Sequence, residues 1–468
     1  MLSNHKRARI VADARAIALL GGPLLVNNLS ITGMSFADTV MAGQLGAIDL
    51  AGLAIGVSYF HLFMFMAMGL MMAVSPAVAH SFGADDTTAV TRYARQSWWL
   101  ALVLAIVLVI GLRQADWVLP SIGIAPDILP VAIGYVHAMS WGMPACAAFF
   151  ALRYTSEGMG NTKPIMYIAF LGLFVNVFGN WLFMYGQFGL PRLGAIGCGV
   201  ATAITLWVMF LALLAYTYKH RPYKPFAFFE RFDKPDYQVL RELLRLGLPI
   251  AGGILAEGGL FVAAALTMGV LGATMAAAHQ IALNFAAFTF MIPMSISSAT
   301  TIHVGHANGR GDAQAARAAG LTGIGMCLCV MVVSALGILL FNEQIAALYT
   351  NDLVVRDIAA TLLLMAAIFQ VSDGAQVGAA GALRGFKDTA IPMLMCVFSY
   401  WVVGFPLAYY LGIERRLGPT YVWLGLIAGL SVSALLLLTR YLLRTRQSVL
   451  TPAVAAVRPA PAAPLQSP

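Results

Sequence analysis

The sequence predicts an all-α integral membrane protein: twelve transmembrane helices arranged as two pseudo-symmetric six-helix lobes. Three observations predict it. The 468 residues are 60% hydrophobic and only 10% charged, with a mean hydropathy of +0.81, outside the range of water-soluble domains. The apolar residues fall in runs long enough to cross about 30 Å of hydrocarbon. The second half of the chain repeats the first.

The runs lie near residues 17–43, 49–80, 97–118, 131–152, 164–186 and 195–218, then 246–270, 275–304, 318–340, 357–382, 391–413 and 419–442. The first 16 residues, MLSNHKRARIVADARA, are too polar and basic for a signal-peptide core. The amino terminus is therefore expected on the cytoplasmic side, and an even number of spans returns the carboxyl terminus there. Basic residues agree: 23 of the 28 Lys and Arg fall in segments this topology makes cytoplasmic. The other five are Arg113, Arg192, Arg356, Arg415 and Arg416. That asymmetry is the positive-inside pattern, and it accounts for the net charge of +8 without invoking nucleic acid.

The longest polar interval, KHRPYKPFAFFERFDKPDYQVLRELLR at 219–245, divides the spans six and six. It is expected to be a cytoplasmic linker between lobes 1–218 and 246–445, with a cytoplasmic tail at 446–468. An ungapped offset of 226 residues superposes Leu20-Gly21-x-Pro23 on Leu246-Gly247-x-Pro249 and Gly43-x-Leu45-Gly46-Ala47 on Gly269-x-Leu271-Gly272-Ala273. It also superposes Val78-x-His80-x-x-Gly83-x-x-Asp86 on Val304-x-His306-x-x-Gly309-x-x-Asp312. Gly158-x-x-x-Thr162 and Gly385-x-x-x-Thr389 add a later echo. Six spans bring the chain back to its starting side, so the repeats are parallel. A cleft between such lobes is where alternating-access transporters bind substrate.

Most of the 20 acidic residues sit near span ends, loops or tails, which leaves Asp38, Glu257 and Asp373 deep in spans. A carboxylate at that depth is costly unless it is partnered, hydrated or protonated, which points to a cation or proton role. Glu157, near the end of the fourth span, is read as structural. Asp38 and Glu257 fall seven residues apart in the repeat frame, on equivalent faces but about 10 Å apart in depth. Asn176 and Asn180 share a face of the fifth span and are candidates to support Asp38, or to join helices by hydrogen bonds. Gln280 and Asn284 on the eighth span, and Gln370 and Gln376 flanking Asp373, are the corresponding candidates around Glu257 and Asp373. Carboxylates among amide and hydroxyl oxygens suit a hard cation and equally a protonated acid. Phe369 offers either an aromatic face to a cation or ordinary packing.

The five cysteines lie in apolar segments and are expected to pack, with neither a disulfide framework nor a zinc site. His303-x-x-His306 has metal-ligand spacing, but it stands at a helix end beside Gly309 and its repeat partner is the single His80. No Walker-type phosphate loop or GxSxG elbow is present, so ATP-driven transport and serine hydrolysis are disfavoured, and no enzyme activity or cofactor is expected.

The stretches FADTVMAGQLGAIDLAGLAIG in the first hairpin, YGQFGLPRLGAIGCGVATA before the sixth span and ALRGFKDTAIP after the tenth resemble the multidrug and toxic compound extrusion family, particularly its NorM branch. The resemblance runs from about residue 15 to 445. It implies secondary antiport of cationic or amphipathic drugs against Na+ or H+ in a bacterial inner membrane, with the chain acting as a monomer. By position it makes Glu257 and Asp373 the cation pair of the second lobe, a possible Na+ site, and Asp38 with Asn176 and Asn180 the first-lobe site. Some members carry an aspartate after the fifth-span amide, where this chain continues Asn180-Trp181-Leu182-Phe183, so the second-lobe pair is the complete one. The alternative reading is a flippase for lipid-linked oligosaccharides from the same superfamily. Its anionic cargo calls for basic residues in the cleft, and the sequence requires none at mid-span.

Overall fold

The computed structural model describes residues 4–450 apart from 227 and 232. The predicted tail therefore lies outside the described residues from 451 onward. In order, the helices are α1 (Asn4–Gly43), α2 (Ala47–Met71), α3 (Val74–Gly83), α4 (Thr87–Arg113), α5 (Ala115–Ser121), α6 (Leu129–Ser140), α7 (Met143–Gly158), α8 (Lys163–Tyr185) and α9 (Ala195–Lys219). There follow α10 (Tyr237–Leu271), α11 (Ala273–Gly309), α12 (Ala313–Tyr349), α13 (Leu353–Gly385), α14 (Ala390–Val397), α15 (Phe405–Tyr409) and α16 (Pro419–Leu450). Among the described residues there is no strand.

Among the described residues eleven helical runs are long and apolar enough to cross a membrane, one of them Ala390–Glu414, in which π-helical turns join α14 and α15. The fourth expected span, read as one run over 131–152, forms two helices, α6 and α7, separated at Trp141 and Gly142. Pro144 explains the break: it has no N–H to donate to the carbonyl of Ser140, and its ring crowds that oxygen. Counted as one interrupted crossing, the pair supplies the twelfth. Pro23 and Pro249, superposed by the repeat, both lie inside continuous helices. Helix α10 starts at Tyr237, so the last part of the interval 219–245 is helical.

Apolar packing separates into two main cores, one built between Met34 and Leu246 and the other between Leu260 and Tyr441. The repeat is realised residue by residue. Asp86 caps α4 by accepting from the Ala89 N–H at 2.9 Å, and Asp312 caps α12 by accepting from Ala315 at 2.7 Å. Gly46 and Gly272 adopt φ of 140° and 123° at the starts of α2 and α11, a backbone that side-chain-bearing residues rarely take.

The halves join at one end. Gly83 abuts the His306 carbonyl and Gly309 abuts the His80 carbonyl, a reciprocal contact with no room for a Cβ on either side. Asn308 bonds His80 at 3.3 Å, His306 bonds the Gly158 carbonyl at 2.8 Å, and His303 pairs with Asp13 at 2.9 Å. The histidines are thus committed to interhelical contacts, and among the described residues no cluster of metal-ligating side chains forms. Along α1 and α11, Asn28 donates to Ser295 at 3.0 Å, and the last bond between these helices joins Thr32 to Met291. Gly69 against Ala251 marks the corresponding approach of α2 to α10. Asp38 and Glu257 lie beyond these contacts, toward the end where the described residues form no hydrogen bond between the halves.

Candidate cation and substrate site

The first-lobe acid is enclosed and has direct donors. Asp38, 9% exposed, projects from α1 toward α8 and α9. Asn180 donates to its Oδ1 at 2.6 Å and also reaches Asn176 Oδ1 at 3.3 Å. Asn176 in turn donates to Thr202 Oγ1 at 3.2 Å. The spacing of Asn176 and Asn180 predicted the shared face, and helix geometry delivers both amides to one carboxylate. Cys198, expected only to pack, lies against the same carboxyl group. Its role depends on how α9 meets α1, which local sequence does not encode.

The second-lobe acids are also brought together, with a different hydrogen-bonding balance. Asp373 on α13 is buried, and Glu257 on α10 lies close enough for the two charges to interact. Gln376, one turn after Asp373, faces the Glu257 carboxyl group. Gln370, one turn before it, uses its amide N–H to reach Thr289 Oγ1. Asp373 Oδ1, Gln370 Oε1 and Gln376 Oε1 are buried, and none accepts a hydrogen bond from the described residues. Three buried acceptor oxygens at one acid site form an electronegative environment that a metal cation or an added proton would satisfy. Tyr400, fully buried, stands near both acids.

Gln280 and Asn284 do not join this group. Both are exposed on α11, and neither hydrogen-bonds Glu257 or Asp373 among the described residues. The physical reason is rotational: Ala278, Ile281, Ala282 and Ala286 turn inward to the core, which carries 280 and 284 to the other side of α11. Burial falls instead on His279, whose two ring nitrogens have no hydrogen-bond partner among the described residues. Its ring meets Trp423 edge to face at 5.7 Å. Trp423 also contacts Phe369, which contacts Phe261 at 6.0 Å. Phe369 is thereby a packing residue, 3% exposed. No motif marks His279; only its place on the inward stripe of α11 reveals it.

At the joined end the structure encloses basic residues that hydropathy leaves unremarked. Arg153, 9% exposed, pairs with Glu157 one turn along α7 at 2.7 Å. Arg384 of α13 donates to Ser297 at 2.9 Å and shares a small enclosed pocket with Glu157, Ser75 and Thr301. Glu157 and Arg384 immediately precede the repeat glycines Gly158 and Gly385. Those glycines abut equivalent residues, Ser75 with Val78 and Thr301 with Val304.

The MatE family model matches residues 23–182 and 249–410, one segment in each half. The chain belongs to the MatE family. The family fold has been solved repeatedly: the chain superposes on a MATE crystal structure in the bent conformation with a TM-score of 0.87, 21% identity and coverage of 97% of this chain and 100% of the other. A MATE structure in the straight conformation gives 0.87 at 22% identity, covering 94% and 97%. Among curated relatives, the probable multidrug resistance protein NorM of Xanthomonas axonopodis pv. citri is 42% identical over 94% of this chain and 96% of its own. A protein of the same name from Shewanella oneidensis is 40% identical over 92% and 94%. As a MatE protein the chain is a multi-pass membrane transporter, not an enzyme.

Proposed function

We propose that this MatE protein is a secondary multidrug exporter of a bacterial inner membrane. It would expel cationic or amphipathic small molecules in exchange for Na+ or H+ by alternating access. The observation that carries the coupling reading is the group of unsatisfied acceptor oxygens around Asp373 in a pocket shared with Glu257. A cation or proton entering there completes hydrogen bonds or ligation that the protein leaves open, and it lowers the negative charge available to a positively charged drug. Competition between two positive species for one negative pocket is the exchange.

The lobes 1–218 and 246–445 would rock about the joined end and the linker 219–245, with 446–468 as a tail. The excess of basic residues supports a cytoplasmic position for the joined end and both termini, which would put the two acid sites on the outward side of the contacts that join the lobes. A membrane potential supplies about 2.3 kcal/mol per charge and 100 mV, and a pH gradient about 1.36 kcal/mol per proton and unit. Either drives export against a concentration gradient. The reading includes a working monomer, since each polypeptide contains both lobes.

The enclosed Arg153 and Arg384 are the observation that favours the flippase alternative. Glu157 neutralises Arg153, and Arg384, in the enclosed pocket it shares with Glu157, is near enough to Glu257 for their charges to interact, so it balances an acid of the proposed site rather than offering a free anion site. Efflux of a fluorescent cationic dye from proteoliposomes, with Na+ and pH gradients imposed separately, tests the proposal. Acceleration by one gradient identifies the coupling ion; acceleration by neither, with protein correctly inserted, rejects antiport.

A further inference from the structure

A groove of about 800 Å³ runs between the start of α1 and the first half of α12, away from both acid sites. Its lining is graded. Arg9, Gln314 and Arg317 stand toward the helix starts, while Ala318, Leu321, Gly325, Met326 and Cys329 continue along α12. From Gln314 to Cys329 this spans roughly 22 Å of helix, enough to lead from a membrane surface well into the roughly 30 Å hydrocarbon layer. A Cβ at Gly325 would meet nothing within 4 Å, so the groove floor is open there.

The cationic end has no internal counter-charge. Asp13 pairs with His303 and Asp312 caps α12, and among the described residues no carboxylate pairs with Arg9 or Arg317. The required ligand is anionic at one end and apolar along the rest of its length. A cationic drug fails the first condition. Residues 451–468 supply no acidic side chain and add a further cation, Arg458.

We propose that this groove binds an anionic phospholipid, with its phosphate held by Arg9 and Arg317 and one acyl chain lying along α12. Basic pockets between transmembrane helices suit such headgroups. Because α1 belongs to the first half and α12 to the second, the lipid bridges the two lobes at their joined end and favours the conformation in which that end is closed.

Cys329 provides a probe, because it lines the groove and is exposed while the other four cysteines are buried. The full chain would be placed in nanodiscs of phosphatidylcholine alone or with phosphatidylglycerol, and the rate of maleimide labelling of Cys329 measured together with the lipid retained after detergent extraction. Slower labelling and preferential retention of phosphatidylglycerol are expected. Arg9→Gln/Arg317→Gln should reduce that preference about thirtyfold, the effect of two basic residues at an anionic surface. Arg9→Lys/Arg317→Lys should largely preserve it. Labelling of the wild-type chain that is indifferent to phosphatidylglycerol overturns the proposal, whatever the variants do. So does equal protection by inorganic phosphate in phosphatidylcholine discs, or protection that disappears on removal of residues 451–468.

Discussion

The two lobes share a backbone plan but treat their buried acids differently. In the first, Asp38 receives a direct 2.6 Å bond from Asn180, which also donates to Asn176, while Asn180 Oδ1 is a buried acceptor with no donor among the described residues. In the second, Asp373 and Glu257 share a site in which Asp373 Oδ1 and two glutamine oxygens accept no hydrogen bond from the described residues. A carboxylate with donors already in place resembles a fixed structural or substrate-facing charge, whereas acceptors without donors create affinity for a cation or proton. On the proposed reading, symmetry would supply the conformational machinery and departure from symmetry the chemistry.

The strongest test removes charge from the second lobe. Asp373→Asn or Glu257→Gln should abolish gradient-driven dye efflux while leaving insertion intact; normal efflux from well-expressed variants would refute the coupling assignment. Next in size are the reciprocal glycines. A Cβ at Gly83 or Gly309 runs into a histidine carbonyl of the other half. Both Gly83→Ala and Gly309→Ala should therefore widen spin-label distances across the joined end and slow efflux to a similar degree. Unequal shifts would break the symmetry of that end.

A third pair separates satisfied from unsatisfied sites. Asn180→Leu should lower stability by about 1–3 kcal/mol, because it strips a buried carboxylate of its donor. Gln370→Met removes an unpartnered oxygen, while Thr289 keeps its bond to the Ala286 carbonyl at 2.9 Å. Its stability change should be the smaller of the two, about 0.5–1.5 kcal/mol for the lost bond to Thr289 Oγ1, yet cation dependence of efflux should weaken. Thermal unfolding in detergent and efflux titrations measure the two quantities; equal destabilisation by both substitutions would remove the contrast. The smallest effect on efflux belongs to the helix caps: Asp86→Ala and Asp312→Ala should each cost about 1 kcal/mol of stability, equally in both lobes, read by the same thermal unfolding.

Much of this was legible in the residues. Hydropathy marked the membrane-spanning segments because lipid imposes a length and composition on any helix that crosses it. The 226-residue offset identified the reciprocal glycines and paired caps before their contacts were visible. Hydropathy also isolated Asp38, Glu257 and Asp373, since a charge within an apolar run is conspicuous. Gln280 and Asn284 show where that reasoning stopped: an i, i+4 pair defines a shared helical face but not the direction in which that face points. His279, one residue away, is the buried one.

By itself, then, the sequence determined the helices, their two-fold repetition and the acids that demand a function, because each follows from local composition or from self-similarity. The tertiary structure decided helix rotation, the enclosure of Arg153 and Arg384, and the division between an Asp38 that has a side-chain donor and an Asp373 whose Oδ1 has none among the described residues. Those features depend on which side chains meet across distant segments. Packing sets such contacts jointly for all the helices, so no single helix contains enough information to fix them.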